Sequence, residues 1–321
     1  MRVSVIVPTR NRASLLAHCV ARIRAQHHPD VELVVVDDGS GPAQASLNAE
    51  VVREAGGRYL RLQPPSDRGS GPSHVRNAGI RASTGALVAF CDDDDYWCDP
   101  DYLAVAVGAF EARADLDLLF ANQEALSTDT GRRSTWQPQL EAVLARRGVG
   151  SQAVEPVSLA ECLVSAGEFA HLNVCVVRKR VLEAIGGFED GIRYCEDLDL
   201  FVRVADRAAA IAYLRRTVAI HNVPDRSSQD NASTRVDAQG RHLFLQQVAN
   251  RLHAVCASTA ARDYARRLGA DACRALTHEA VAAARLDEAL TWARVGGAWR
   301  QTLRWLAYTQ LLRLRRLAAG R

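Results

Sequence analysis

Four consecutive aspartates, Asp92–Asp95, follow a short apolar run, Ala86–Phe90, in a chain of 321 residues. Like charges at contact distance repel each other unless a cation or a proton neutralises them. Mg²⁺ and Mn²⁺ favour carboxylate oxygens and commonly share their coordination shell with substrate phosphates. A second acidic pair, Asp37-Asp38, ends another apolar run, Leu33–Val36. Together the two runs predict a divalent-cation site, although a solvated acidic turn is the simpler interpretation of either run alone.

These carboxylates need a scaffold that brings the ends of strands together. The first hundred residues alternate β-branched runs with helical periodicity, which is typical of a parallel α/β sheet. Open sheets of this kind bind ligands at the carboxyl ends of their strands. We predict strands near Val3–Val7, Leu33–Val36, Tyr59–Leu62, Ala86–Phe90, Leu116–Phe120 and Val174–Val177, and helices near residues 16–23, 45–55, 102–113 and 198–207.

Six short motifs resemble those of family 2 glycosyltransferases with the GT-A fold, in order and spacing, over about the first 225 residues. They are Val3–Arg12, Val36–Ser40, Arg76–Ile80, Phe90–Trp97, Gly186–Phe188 and Cys195–Leu200. The resemblance implies an α/β fold, with a mostly parallel sheet flanked by helices and a helical C-terminal extension. It also implies an inverting transfer of a sugar from a nucleotide-diphosphate sugar, with UDP as the expected nucleotide. The acceptor would be a hydroxyl of a glycan or lipid-linked molecule in bacterial surface polysaccharide or glycoconjugate synthesis.

The resemblance carries donor and metal roles onto particular residues of this chain. The implied donor-binding residues are Pro8, Thr9, Arg10, Asn11, Asp38, Arg76, Asp92 and Asp93. The implied ligands of Mn²⁺ or Mg²⁺ are Asp92, Asp94 and His221, although a register one residue later would make Asp95 the direct ligand. Taken alone, Thr9 and Asn11 fit a cap of the helix that follows better than a ligand contact, and the joint pattern of motifs reverses that preference.

Glu196 and Asp197 match the motif that supplies the base in such enzymes. An inverting transfer needs a carboxylate opposite the departing diphosphate, where it takes the proton from the attacking hydroxyl. Asp197 matches the base position, and Glu196 is its partner in the motif. The alternative is an acidic pair that favours the N-terminus of a helix through the helix dipole.

Charge and composition divide the chain. Forty basic and 37 acidic residues give a net charge of +3, yet residues 251–321 hold thirteen arginines against five acidic residues. We predict a GT-A domain over 1–230, with a nucleotide-binding half at 1–100 and an acceptor half at 101–230, followed by an Ala/Arg-rich helical region at 231–321. The segment 299–317 has the pattern of a basic amphipathic helix. It could contact an anionic membrane peripherally or pack on its own domain.

Other classes fit the sequence less well. A receiver domain would need a lysine after a later strand, but Lys179 is the only lysine and lies outside such a frame. A nicotinamide oxidoreductase would need G-x-G-x-x-G after the first strand, and that fingerprint is absent there. A catalytically degenerate relative that only binds a nucleotide sugar or a partner is the main alternative. We expect a cytoplasmic protein, at most peripheral at the inner face of the membrane, with no nucleic-acid partner.

Overall fold

A computed structural model describes residues 1–64, 66, 69–148, 150, 154–164, 169–223, 234 and 236–319. The chain divides into two compact units, Met1–Ser228 and Gln229–Arg321. The boundary predicted near residue 230 lies outside the described residues.

The described residues of the first unit form one sheet of ten strands. The strands are β1 (Val3–Thr9), β2 (Val31–Asp37), β3 (Arg58–Arg61), β4 (Leu87–Phe90), β5 (Tyr96–Trp97), β6 (Leu116–Ser127), β7 (Arg133–Thr135), β8 (Val154–Pro156), β9 (Cys175–Arg178) and β10 (Ala210–Val223). The main order is β3-β2-β1-β4-β9-β6-β10-β5, while β7 pairs with β6 and β8 pairs with β10. The longest pairings, β1 with β2 and β6 with β10, are parallel, and β9 runs antiparallel to both β4 and β6.

The helices of the first unit are α1 (Ala13–Arg24), α2 (Pro42–Glu54), α3 (Pro72–Ala82), α4 (Tyr102–Ala112), α5 (Pro138–Arg146), α6 (Leu159–Cys162), α7 (Lys179–Ala184) and α8 (Glu196–Arg207). A 3₁₀ turn, Leu172–Val174, precedes β9. The predicted sheet flanked by helices is confirmed. Helix α3 was not predicted, because its polar residues and Gly79 obscure the helical period.

The register of the strands brings the carboxyl ends of β1, β2 and β4 to the same edge of the sheet. Thr9 at the end of β1 is opposite Asp37 at the end of β2, and Ile6 is opposite Phe90 at the end of β4. Because these strands are parallel, the acidic turn after Phe90 lies at the same edge of the sheet as the loops after β1 and β2.

The second unit is helical, as predicted. Its helices are α9 (Ala238–Val255), α10 (Thr259–Ala282), α11 (Leu286–Trp299) and α12 (Leu303–Ala319). Asp237 and Ser258 cap α9 and α10 by accepting from the backbone N–H groups of Gly240 and Ala261. A prediction that placed Trp299 on the same helix as Leu303–Leu317 is wrong, since Trp299 ends α11 and residues 300–302 separate it from α12. Among the described residues, no helix combines the length and apolarity needed to cross a bilayer.

Candidate active site

The four aspartates form a turn between β4 and β5 in which exposure alternates. Asp92 and Asp94 are partly exposed, whereas Asp93 and Asp95 are only 5% and 1% exposed. The turn is closed by the N–H of Asp95, which donates to the carbonyl of Asp92 at 3.1 Å. Two of the four carboxylates therefore face the protein and two lie nearer the solvent.

Asp93 is tied to the end of β1. It accepts from Thr9 Oγ1 at 2.7 Å and from Arg12 Nη1 at 3.1 Å, and Arg12 Nη1 also lies 3.0 Å from Asp94 Oδ2. Thr9 therefore supports the acidic turn from beneath, and it is itself only 4% exposed.

The negative charge of the acidic turn exceeds the positive charge of the side chains around it. Burial raises the pKa of Asp93 to about 6, in spite of the nearby Arg12 guanidinium. Burial and the adjacent carboxylates of Asp95 and Asp93 raise the pKa of Asp94 to about 7. Crowded carboxylates with raised pKa values are a good donor set for a hard divalent cation, which would favour their charged forms.

Asp95 organises the turn from inside. Its Oδ2 accepts from Asn173 Nδ2 at 2.5 Å and lies 2.7 Å from His221 Nδ1, while its Oδ1 accepts from the backbone N–H of Asn222 at 2.7 Å. Burial alone would lower the pKa of His221, but the Asp95 carboxylate overrides it and raises the pKa to about 9. Because Nδ1 is engaged by Asp95, Nε2 is the nitrogen of His221 that remains to bind a metal or an anion.

His171 is a member of the site that sequence reasoning missed. Its Nε2 lies 3.7 Å from Asp197 Oδ2, and its ring centroid is 4.6 Å from that of His221. Burial and the neighbouring His221 lower the pKa of His171 to about 4, so the ring is neutral near pH 7. Ligand atoms of Asp95, His171 and His221 all lie within 4.8 Å of one another, as those of a metal cluster would. No motif surrounds His171 in the sequence, so only the fold could reveal its place.

The predicted base motif begins α8. Asp197 Oδ1 accepts from the backbone N–H of Leu198 at 2.8 Å. Glu196 Oε1 accepts from Arg76 Nη1 at 2.9 Å. Burial raises the pKa of both acidic side chains. The nearby Asp199 is fully buried and pairs with Arg203.

Arg76 joins the acidic turn to the base motif. Its Nη2 donates to Asp92 Oδ1 at 2.5 Å while its Nη1 holds Glu196, and the side chain is 7% exposed. The donor contact implied for Arg76 stays a prediction, because in the structure its guanidinium is engaged by these two carboxylates.

The residues predicted to hold the nucleotide lie at the ends of β1 and β2. Asn11, with φ of 56°, accepts from the backbone N–H of Gly41 at 2.8 Å. Asp38 accepts from the backbone N–H of Ser70 at 2.8 and 2.9 Å, so the segment after β3 covers it. Pro8 is in β1, and Arg10 directly follows that strand. The structure thus places these residues beside the acidic turn along one edge of the sheet.

Aromatic rings line the side of the site that holds the histidines. Trp136 is partly exposed, and its ring centroid lies 5.3 Å from that of His221 and 5.6 Å from that of His171. Its Nε1 donates to the carbonyl of Phe169 at 2.9 Å, which fixes the indole. Trp97, by contrast, is buried in the core, and its Nε1 donates to the carbonyl of Asn173.

This combination of sheet, helices and acidic edge is the GT-A fold. Residues 1–349 of S. aureus TarS, solved in complex with UDP-GlcNAc, match with a TM-score of 0.69 at 18% identity, covering 93% of this chain and 80% of that one. A mannosyltransferase from Pyrobaculum calidifontis, solved with GDP-Man and Mn²⁺, matches with a TM-score of 0.54 at 21% identity, covering 97% and 84% of the two chains.

Residues 4–148 of the chain match the family model described as glycosyl transferase family 2. It is 31% identical over 151 residues to an uncharacterized glycosyltransferase of a Nostoc strain, over 45% of this chain and 44% of the relative. It is 26% identical over 220 residues to the O-antigen biosynthesis protein RfbC of Myxococcus xanthus, over 66% of this chain and 15% of that protein. The matched region thus spans less than half of either relative.

Proposed function

We propose that the chain is an inverting, metal-dependent glycosyltransferase that uses a nucleotide-diphosphate sugar, with UDP as the nucleotide. The observation that carries the proposal is one continuous set of contacts. It runs from Asp92 through Arg76 to Glu196, and from Asp95 through His221 and His171 to Asp197. These contacts would link a cation site to Asp197, a partly buried acid that would act as the base.

The alternation along the acidic turn supports one register for the metal ligands. Asp93 and Asp95 are buried and hydrogen-bonded within the protein, whereas Asp92 and Asp94 are the more exposed pair. We propose that Asp92, Asp94 and the Nε2 atom of His221 would hold Mn²⁺ or Mg²⁺, a set of oxygen and nitrogen donors that both ions accept. When bound, such an ion neutralises the charge that develops on the diphosphate leaving group.

The protein's own residues would perform the remaining steps. Pro8–Asn11 and Asp38 would hold the nucleotide, and Asp93 would face the ribose or the sugar. Asp197 would take the proton from the acceptor hydroxyl as its oxygen bonds to the anomeric carbon and the bond to the diphosphate breaks. The raised pKa of Asp197 makes it a stronger base than an exposed carboxylate. Neutral His171, 3.7 Å away, would position it.

The acceptor is proposed to be a glycan or a lipid-linked glycan in the synthesis of a bacterial surface polysaccharide or glycoconjugate. The similarity to a protein named for O-antigen biosynthesis supports this class. We further propose a cytoplasmic protein with peripheral contact at the inner face of the membrane through 299–317. Trp136 would form a wall of the acceptor site, because sugar rings pack well against aromatic faces and this indole lies beside the histidine that contacts Asp197.

The test compares two carboxylate variants with the wild type. Asp197→Asn should abolish transfer and leave nucleotide binding nearly intact, because it removes the base alone. Asp94→Asn should weaken Mn²⁺-dependent UDP binding. The measurements are product formation with a panel of nucleotide sugars and calorimetric titration of UDP with and without Mn²⁺. Near-wild-type turnover in both variants would contradict the assignment.

A further inference from the structure

Helix α12 has two unlike faces, and its inner face anchors it firmly. Trp305 and Leu312 are 6% and 0% exposed and join a core with Leu290 and Ala293. Trp305 Nε1 donates to the carbonyl of Ala293 at 2.9 Å. The orientation of α12 on α11 is therefore fixed by buried contacts.

The outer face of α12 is exposed and mostly apolar, with Gln310 lying among its leucines. Its members, which we call the leucine stripe, are Leu303, Leu306, Leu311, Leu314 and Leu317, with exposures of 87%, 44%, 44%, 65% and 67%. At about 100° per residue these five side chains fall within an arc of roughly 140°. Five exposed leucines on one helix form an apolar patch of the kind that marks an interaction site.

Arginines border the leucine stripe on both sides. At about 100° per residue, Arg304 and Arg315 lie just beyond Leu311, and Arg313 lies just beyond Leu306. All three arginines are exposed. The remaining arginine of the helix, Arg316, points away from the stripe and pairs with Asp287. No acidic residue follows Glu288 in the sequence, so every charged side chain that α12 itself carries is cationic.

We propose that the leucine stripe binds the surface of an anionic lipid bilayer, with α12 lying in the plane of the membrane. The leucines would enter the boundary between headgroups and acyl chains, and the bordering guanidiniums would pair with lipid phosphates. A second copy of this chain fits less well, because two stripes face to face would bring two cationic borders together. Membrane binding through the leucine stripe would place the enzyme beside lipid-linked acceptors. Only this benefit to the enzyme rests on the proposed function; the binding itself does not.

The test uses the full chain and vesicles of phosphatidylcholine with or without about 30% phosphatidylglycerol, with co-sedimentation as the readout. The double variant Leu306→Ser/Leu314→Ser should bind the anionic vesicles at least about tenfold more weakly, since two apolar side chains no longer enter the membrane. The matched control is Leu15→Ser/Leu47→Ser, which removes two leucines of 44% and 47% exposure from α1 and α2. The control should bind like the wild type.

A second pair of changes tests the charge. Arg304→Gln/Arg315→Gln should weaken binding to anionic vesicles and leave the weaker binding to pure phosphatidylcholine unchanged. Raising the salt concentration should reproduce that effect on the wild type.

Three results would overturn the inference. One is equal vesicle binding by the leucine-stripe variant and its matched control. Another is failure of the wild type to bind anionic vesicles at low salt. The third is light scattering that shows a dimer lost in Leu306→Ser/Leu314→Ser, which would assign the stripe to a second copy. Calorimetric titration of UDP with Mn²⁺ distinguishes failure of the membrane proposal from failure of the proposed function. Leu306→Ser/Leu314→Ser should bind UDP like the wild type, whether or not it binds vesicles.

Discussion

At the scale of single residues, neighbouring aspartates with identical chemistry have opposite structural roles. Asp94 lies beside other carboxylates, and burial strengthens their repulsion and raises its pKa. Asp95, in contrast, has both carboxylate oxygens in hydrogen bonds, to Asn173, His221 and Asn222. The sequence of four aspartates does not indicate which of them would bind a metal, because the alternation of exposed and buried side chains arises only when the chain forms the turn. The same limit applies to His171, which the turn before β9 brings to Asp197.

This difference predicts opposite effects on stability. Asp95→Asn should lower the free energy of unfolding by about 2–4 kcal/mol, because a buried hydrogen-bonded charge is lost and an amide donor then faces Asn173 Nδ2. Asp94→Asn should leave metal-free stability unchanged or raise it. The raised pKa of Asp94 means that its ionised form destabilises the fold above that pKa, and the amide removes that charge.

Chemical denaturation in EDTA at pH 8, where Asp94 is mostly ionised, provides the measurement. A larger loss of stability in Asp94→Asn than in Asp95→Asn would reverse the assignment of the two roles.

At the scale of elements, α3 locks the loop that precedes α8. Asn77 Nδ2 donates to the carbonyl of Phe188 at 2.9 Å, and its Oδ1 accepts from the backbone N–H of Phe188 at 2.8 Å. Gly187 lies directly against this amide: a Cβ there would come within 2.4 Å of Asn77 Oδ1. The two glycines and Asn77 were recognised in the sequence through motif resemblance, but their mutual contact was not, since 110 residues of chain separate them.

The loop offers a matched pair of substitutions. Gly186 and Gly187 both have positive φ, of 75° and 68°, but a Cβ on Gly186 would meet nothing within 4 Å. Gly186→Ala should therefore cost only the backbone penalty, about 1–2 kcal/mol. Gly187→Ala should cost roughly 1–3 kcal/mol more, because it also displaces Asn77.

Thermal melts of the two variants measure the difference, since each kcal/mol shifts the melting temperature by about 2–4 °C in a protein of this size class. Equal melting temperatures would show that the Asn77 contact contributes nothing to the fold.

Sequence patterns predict some strands of the sheet but not the break between the last two helices. Strands β1, β2 and β4 follow from continuous β-branched and apolar runs that end in polar residues. The break between α11 and α12 could not be placed from sequence, because no proline marks residues 300–302 and the apolar pattern continues across them. Consequently the sequence indicated an amphipathic tail but assigned Trp299 to the wrong helix.

At the scale of the whole molecule, opposite charges are divided between two compact units. The acidic cluster belongs to Met1–Ser228, while the arginine-rich helices belong to Gln229–Arg321. The contrast in charge can be read directly from the composition along the chain. The exposed leucine stripe could not be predicted, since exposure depends on which face of α12 packs on α11.

The division predicts a selective response to ligand. Calorimetric unfolding should show two transitions, because chains with two compact units often depart from two-state behaviour. Mn²⁺ with UDP at about 100 times the dissociation constant should add about 2.7 kcal/mol to the unit that binds them. Only one transition should therefore move upward, and EDTA should return it. A shift of both transitions, or of neither, would contradict a site contained in the first unit.

The bridge formed by Arg76 has a consequence for the order of substrate addition. Asp92, proposed as a metal ligand, and Glu196, beside the proposed base, share one guanidinium. A donor that brought a metal ion to Asp92 would compete with Arg76 for this carboxylate, and a weaker Arg76–Asp92 pair would leave the guanidinium freer to interact with Glu196. Donor occupancy would thus be communicated to the acceptor side before any acceptor arrives. We expect a compulsory sequence in which the nucleotide sugar enters first and the free nucleotide leaves last.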